Sequence, residues 1–122
     1  SYASVTGSSF SFTPKSASST LIIVSDLSCR INGQAHGMMF KHYVAGSSIS
    51  LDTGNHHEVY FNTNTACDIY LRQTKSDTYS NTSSSAKTIQ LYVRDYNADG
   101  HSANRINFLA RFRSATIVYE IG

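Results

Sequence analysis

Hydrophobic and polar residues alternate along most of this 122-residue chain. A two-residue period places successive side chains on opposite faces of an extended strand, so it predicts β-structure. Short runs rich in Gly, Asn, Asp and Ser separate the alternating segments and favour turns. The segments predicted as strands are 9–13, 20–26, 38–44, 49–51, 58–62, 68–73, 88–96, 105–113 and 115–121.

The number and spacing of these segments predict the fold class. About eight strands without a helical period are typical of an all-β, antiparallel β-sandwich, here expected to be jelly-roll-like. The Ser- and Thr-rich run 76–85 is interpreted as a surface loop rather than a linker, because strands continue after it. We therefore expect one β-sandwich domain over residues 1–122.

The outward faces of several predicted strands remain partly apolar. A monomeric sandwich usually solvates such faces with charged and polar side chains, whereas an apolar outer face is typical of a surface that contacts another subunit. Scattered exposed aromatic residues are the alternative interpretation. The outward apolar residues expected from the alternation are Tyr43, Tyr60, Tyr70, Tyr92, Leu109 and Val118.

Composition narrows the function classes. Only 15% of the residues are charged and the net charge is +2. Because nucleic-acid binding depends on clustered basic residues, we expect no nucleic-acid partner. No apolar run approaches the roughly 18 residues of a membrane-spanning helix, so we also expect no membrane insertion. The two cysteines, Cys29 and Cys67, leave two alternatives open, a single disulfide or two reduced, buried thiols.

One short segment has the residue types of a metal site. Asp95, Asn97 and Asp99 alternate and are followed by Gly100, which matches the first half of a calcium loop. Ile106 stands where such a loop requires a bidentate glutamate. The alternative is a β-turn in which the same oxygens accept hydrogen bonds from nearby amides. We expect no resident cofactor, and calcium is the candidate to test.

Catalytic motifs are absent from the sequence. It contains no nucleophile elbow, no zinc-protease helix motif and no phosphate-binding loop. His56 and His57 are adjacent, so an extended backbone would point them in opposite directions. His36, His42 and His57 could meet only through the fold, which the sequence does not show. The sequence therefore predicts a protein that is not an enzyme.

The polar loops have the composition of a binding surface. Tyrosine offers flat apolar contact, and Asn, Ser and His offer adaptable hydrogen bonds. Such surfaces suit sugars, although solvated loops without a ligand are the alternative interpretation. The candidate ligand-binding residues are Tyr79, Asn81, Asn55, His56, His57, Tyr96 and His101.

Three segments carry recognisable motifs, which are 9–25 with the sequence SFSFTPKSASSTLIIVS, 91–95 with LYVRD, and 114–121 with SATIVYEI. They resemble motifs in tail-fibre and other virion proteins of tailed bacteriophages. The resemblance implies a β-sandwich knob, usually trimeric, at the end of a fibre or on a virion surface. The matching motifs are structural, so no site residue is carried over from the family.

Together with the predicted sandwich, this resemblance implies a phage virion structural protein. We expect a tail-fibre or surface knob module, located in the virion, that forms a homotrimer. Its other expected partners are further virion proteins and a host-surface glycan. The alternatives are a free-standing carbohydrate-binding, lectin-like module and a capsid-decoration or filament subunit.

Overall fold

The computed structural model describes residues 2–33, 36–51, 59–61, 67–97, 105–106 and 113–122, and the structural statements concern these. Their secondary structure consists of strands arranged in two antiparallel sheets. In this part of the chain, no helix combines the length and the apolar character that crossing a membrane requires. The strands are β1 (Ala3–Ser4), β2 (Phe10–Phe12), β3 (Thr20–Gly33), β4 (His36–Val44), β5 (Ser47–Ser48), β6 (Val59–Phe61), β7 (Cys67–Ser80), β8 (Lys87–Asn97), β9 (Arg105–Ile106) and β10 (Ala115–Ile121).

The two sheets pack against each other as a sandwich. Sheet A has the order β1-β8-β4-β5, with β2 also paired to β8 and β6 to β4. Sheet B has the order β10-β3-β7, with β9 also paired to β3. The long strands β3, β4, β7, β8 and β10 belong alternately to sheets B and A along the chain. The expected all-β antiparallel sandwich is therefore confirmed.

The core lies between the sheets and follows the two-residue period of the strands. Leu21 and Ile23 of β3 are 0% exposed, while their neighbours Ile22 and Val24 are half-buried on the outer face. One apolar cluster is centred on Phe40 and a smaller one on Ile23. The fully buried apolar side chains of these layers are Leu21, Ile23, Leu27, Ile31, Met38, Phe40, Ile89 and Leu91.

Two strands are longer than the sequence predicts. β3 continues to Gly33 instead of ending at residue 26, and β7 continues to Ser80 through the first half of the predicted loop 76–85. These strands pair along 14 residues each, from Thr20 with Ser80 to Gly33 with Cys67. The outward side chains of β7 are serine and threonine in this stretch, so the apolar alternation that identifies a strand is missing. The short strand predicted at 49–51 was wrong, since β5 lies at Ser47–Ser48.

The direction of β10 was also predicted wrongly. Val118 packs against the core residues Ile23, Val44 and Ile89 instead of facing outward. Val118 is paired with Ile23, and residues paired across strands point to the same face. Its neighbours on β10 therefore point away from the core, and Ile117, Tyr119 and Ile121 are 52%, 53% and 56% exposed.

Other predicted outward residues differ in how far they are exposed. Tyr70 is 71% exposed and Tyr60 is 43% exposed. Tyr43 and Tyr92 lie on the outer face of sheet A, but their rings stack with centroids 3.8 Å apart and each is half-buried. Leu109 lies outside the described residues. The apolar outer surface predicted from the sequence is thus partly covered within the chain on sheet A.

The register of β3 and β7 decides between the two cysteine alternatives. Cys29 is paired with Leu71, whereas Cys67 is paired with Gly33, four residues further along β3. Four residues of strand span about 13 Å, too far for a disulfide. Cys29 is a free, buried thiol, and burial raises its pKa to about 12. The thiolate form, which is the reactive one, is therefore strongly disfavoured at neutral pH.

Phe40→Ala tests whether the apolar layer between the sheets is the main source of stability. Phe40 is 1% exposed in the larger cluster, so the change should lower the free energy of unfolding by about 3–5 kcal/mol. Urea unfolding followed by circular dichroism measures the loss. Leu51→Ala is the control, because Leu51 is 85% exposed and should change stability by less than about 0.5 kcal/mol. Equal effects of the two variants would contradict this arrangement of the core.

Candidate functional site

A cluster of polar side chains lies buried between the two sheets. His42 of β4 is 0% exposed and follows Met38 and Phe40 in the inward-pointing series of that strand. Ser25 of β3 is also 0% exposed, and the side chain of Asp77 on β7 is only 10% exposed. Three strands from both sheets therefore each contribute one polar group to the same place.

The three side chains form a continuous hydrogen-bonded chain. Ser25 Oγ lies 2.7 Å from His42 Nε2, and His42 Nδ1 lies 2.7 Å from Asp77 Oδ2. Ser50 Oγ donates to Asp77 Oδ2 at 2.7 Å and accepts from the backbone N–H of His42 at 2.9 Å. At the other end, Ser25 Oγ lies 2.7 Å from Thr116 Oγ1 of β10. The chain thus links β7, β4, β3 and β10.

Asp77 is held as a carboxylate. Burial alone would raise its pKa, but hydrogen bonds from His42 and Ser50, together with the charge of Lys75, outweigh burial and lower it. The Lys75 ammonium lies 3.9 Å from Asp77 Oδ1. Because a carboxylate only accepts hydrogen bonds, His42 Nδ1 carries a proton and donates it to Asp77. His42 Nε2 is then satisfied by the Ser25 hydroxyl.

The order Ser25–His42–Asp77 is that of a hydrolase triad, but the surroundings do not suit that chemistry. Ser25 Oγ would have to reach a substrate carbonyl, and an oxyanion hole would have to stabilise the resulting charge. Ser25 is fully buried in a strand paired on one side with Lys75 and on the other with Thr116. The backbone at Ser25 therefore lies between two paired strands of the sheet, and the hydrogen bonds of the cluster connect the strands to one another.

A second polar cluster anchors the turn that follows β2. The Glu120 carboxylate accepts hydrogen bonds from the backbone N–H groups of Lys15 at 2.8 Å and Ser16 at 3.1 Å, and from Ser19 Oγ at 2.8 Å. The backbone hydrogen bond from Lys15 is the main cause of the lowered pKa of Glu120. Asn81 completes the cluster, because its amide donates to the Ser16 carbonyl at 2.8 Å. The turn between residues 13 and 20 is thus fastened to β10 and to the end of β7.

The outer face of sheet B is divided into an apolar part and a charged part. The apolar part is defined by Ile117, Tyr119 and Ile121 of β10 with Ile22 and Val24 of β3, and we call it the β10 patch. Tyr119 is paired with Ile22 and Ile117 with Val24, so these side chains share one face. The charged part begins at Asp26, which follows Val24 in the outward row of β3 and is paired with Ala115 of β10. It contains the ion pairs of Arg30 with Asp68 and of Arg72 with Asp26, at 2.9 Å each.

Tyr70 is the most exposed aromatic residue of that charged part. Its ring is 71% exposed, and the Arg30 guanidinium lies 5.5 Å from the ring centroid. A cation over an aromatic ring holds the ring in place without covering both of its faces. The remaining face of Tyr70 is available for stacking against a flat ligand.

Two of the predicted ligand-binding residues make contacts within the fold. Tyr79 is half-buried and packs against the cluster of Ile23, Val44 and Ile89. Asn81 is 4% exposed and its amide is used within the turn cluster. Tyr79 lies in a strand rather than in the expected loop, because β7 extends to Ser80.

The predicted calcium segment begins in a strand, not in a turn. Asp95 and Asn97 belong to β8 and are paired with Met38 and His36. A calcium loop has to curve around the ion at this point, so the extended backbone does not match it. In the described part of the chain, no group of three or more His, Cys, Asp or Glu side chains could hold a metal ion.

The remaining predicted site residues are only partly placed. Tyr96 lies in β8, paired with Gly37. Asn55, His56, His57, Asp99 and His101 lie outside the described residues.

The buried Ser25–His42–Asp77 chain was not identified from the sequence. A histidine at an inward position of a strand indicates a buried polar partner, and that signal was present at His42. The partner Asp77 could not be found, because it lies in a segment interpreted as a loop. Comparison with family models, curated proteins and solved structures gives no match to this chain.

Asp77→Asn tests how much the hydrogen-bonded side chains Ser25, His42 and Asp77 contribute to stability. At neutral pH the variant should be less stable by about 1–3 kcal/mol, because His42 and Ser50 lose a charged acceptor. The pKa of Asp77 is lowered in the folded state, so its carboxylate stabilises the fold above about pH 4, and this contribution is lost as pH falls through the lower folded value. The variant should therefore show a shallower loss of stability below about pH 4 in urea unfolding.

Asp26→Asn is the matched control for the charge change. The Asp26 side chain is 54% exposed and pairs with Arg72 at the surface, so its removal should cost less than about 1 kcal/mol. Glu120 contributes its own loss of stability in acid to every variant, and only differences between variants are compared. An Asp77→Asn variant that keeps the wild-type dependence on pH would contradict the assignment.

Proposed function

We propose that this protein is a structural subunit of a bacteriophage virion, of the tail-fibre or surface knob kind, and that it works by assembling with copies of itself. The observation that carries the proposal is the β10 patch. The virion assignment rests on the resemblance of segments 9–25, 91–95 and 114–121 to virion proteins.

The β10 patch is better suited to contact with protein than to contact with water. Its outward side chains on β10 are large and apolar, and each is more than half exposed. The charged residue of that strand, Glu120, is turned toward Lys15 and Ser16. An uncharged patch with an aromatic residue at its centre is typical of subunit contacts.

The resembling segments also suit a structural role. Within segment 9–25, β2 ends before Pro14 and the turn is then fixed by Glu120. Glu120 belongs to segment 114–121, so the first and last motifs contact each other in the fold. A sequence pattern that maintains this contact serves the stability of the sandwich, and it leaves the outward side chains to determine the partners.

The number of copies is the first test of this proposal. The resemblance implies a homotrimer, which native mass spectrometry and light scattering should detect at concentrations well above micromolar. Ile117→Ser combined with Ile121→Ser should weaken the assembly, because both side chains are more than half exposed in the β10 patch. Leu51→Ser is the control, since Leu51 is exposed but lies outside the patch. A wild-type monomer under these conditions would contradict the proposal.

Attachment to a host-surface glycan is the second part of the proposal. Tyr70 is the described side chain that best suits it, because aromatic faces stack on sugar rings and its ring is 71% exposed. On a glycan array, Tyr70→Ala should reduce binding about tenfold, corresponding to roughly 1.4 kcal/mol of lost stacking. Tyr60→Ala is the control, since Tyr60 is also exposed but lies on sheet A. Undiminished binding by Tyr70→Ala would remove Tyr70 from the site.

The same array distinguishes the lectin-like alternative. Strong glycan binding by a monomer would favour a free-standing carbohydrate-binding module over an assembling subunit. Repeating the array with a chelator shows whether calcium contributes.

A further inference from the structure

We propose that β10 is the contact strand of the assembly and that two copies pair their β10 strands antiparallel, edge to edge. This inference deepens the proposed function and rests on its claim of self-assembly. It assigns the partner, a second copy of this chain, and the mode of contact, which continues sheet B from one copy into the next.

β10 itself contains none of the residues that usually prevent an edge strand from pairing with another strand. Edge strands normally carry outward lysines, prolines or bulges that keep other strands away. β10 is a regular strand of seven residues, ATIVYEI, and forms an unbroken ladder with β3. Its single charge, on Glu120, is held inward by the turn at Lys15 and Ser16. Among the described residues, no strand pairs with the opposite edge of β10.

The exposed apolar area of β10 is smaller than the area that a stable interface buries. About half of each of three large side chains is exposed on β10, which amounts to roughly 300 Å². A stable interface of standard size buries about 800 Å² on each partner. The outward side chains alone therefore fall short of a stable contact. Pairing of the strand edges adds backbone hydrogen bonds along β10 and brings the adjacent rows of side chains together.

The outward side chains of β10 match those of a second, antiparallel β10 strand. In an antiparallel pair centred on Tyr119, Ile117 of one copy lies opposite Ile121 of the other, and the two Tyr119 side chains lie opposite each other. All six side chains then share one face, because every second residue of β10 points outward. A pair centred on Val118 also keeps the outward residues together, with Ile117 opposite Tyr119. A partner without such a strand would lack this match.

Edge pairing of this kind has two-fold symmetry. It therefore joins copies in pairs and produces a dimer, or a hexamer when it links two trimers. A hexamer also requires three-fold contacts elsewhere on the subunit. The mass of the assembly shows whether these contacts form.

The test is site-directed crosslinking in the full chain. Tyr119→Cys in a Cys67→Ser background places a thiol at the centre of the strand, and Cys29 remains buried. In both registers the two residues at position 119 lie directly or diagonally opposite, about 5–8 Å apart. A short bis-maleimide crosslinker should therefore convert most of the protein to covalent dimer. Tyr70→Cys in the same background is the control, because it is exposed on the far strand of sheet B and should give little dimer.

A second variant checks the contact without a crosslinker. Tyr119→Lys places two ammonium groups near each other at the proposed contact, so it should raise the dissociation constant of the pair at least about tenfold. Leu51→Lys should leave association unchanged, because Leu51 is 85% exposed and lies outside the β10 patch. Circular dichroism verifies that both variants are folded, as expected for positions more than half exposed.

The outcomes separate this inference from the proposed function. Hexamers with efficient crosslinking at position 119 support both. Dimers that crosslink there support the pairing of β10 and self-assembly, and they contradict the homotrimer. A trimer that does not crosslink there, but that Tyr119→Lys weakens, would overturn the pairing of β10 and leave the proposed function standing. A trimer that Tyr119→Lys leaves intact would overturn the pairing and also the role of the β10 patch in assembly. A protein that stays monomeric would overturn both.

Discussion

The arrangement of the strands depends on the partners of one buried side chain. His42 lies in the core, so both of its ring nitrogens need hydrogen bonds. Ser25 and Asp77 supply them at 2.7 Å each, from two different strands of the opposite sheet. A shift of β3, β4 or β7 by two residues would keep the apolar rows facing the core but would move one of these groups by about 7 Å. A ring nitrogen would then be left buried without a partner, at a cost of about 1–3 kcal/mol. The hydrogen-bonded chain therefore selects one register among those that apolar contacts alone would tolerate.

Hydrogen bonds of inward-pointing side chains also determine which side chains of β10 are exposed. Thr116 bonds to Ser25 and Glu120 bonds to the turn at Lys15 and Ser16. Both groups point inward, and they lie four residues apart on the same strand. With both ends of the inward row fixed, the intervening row has to point outward, and that row is Ile117, Tyr119 and Ile121. The exposed apolar patch is thus a consequence of two polar anchors rather than a defect in the alternation. A patch fixed so firmly cannot turn inward, so burial of its side chains requires a partner.

The sequence predicted the all-β sandwich and most strands, because apolar alternation marks every strand whose outer face differs from its core face. It failed where that contrast is weak. In β10 both rows carry apolar residues, so the choice of face depended on Thr116 and Glu120, whose partners lie far away in the chain. In the second half of β7, from residue 74 to residue 80, the outer row is serine and threonine while the inner row includes Lys75 and Asp77, so this part of the strand was interpreted as a loop. Tyr79 and Asn81 were assigned to ligand binding for the same reason. Apart from His42, the polar residues paired across the fold gave no local signal of their burial.

On the outer face of sheet B, the charged residues are grouped in one region. The exposed charges of this face are concentrated at one end, where Arg30 and Arg72 pair with Asp68 and Asp26. The other end, formed by β10 and the first half of β3, presents apolar and uncharged side chains. Such a division suits an assembling subunit, because the uncharged end can be buried without leaving an unpaired charge behind. The charged end, with Tyr70 beside Arg30, keeps its hydration and its hydrogen-bonding groups. If copies pair through β10, the two β7 strands, which carry Tyr70 and Arg72, lie at the outer edges of the joined sheet. Each is then free to contact a second kind of surface, and assembly and attachment would not compete for the same residues.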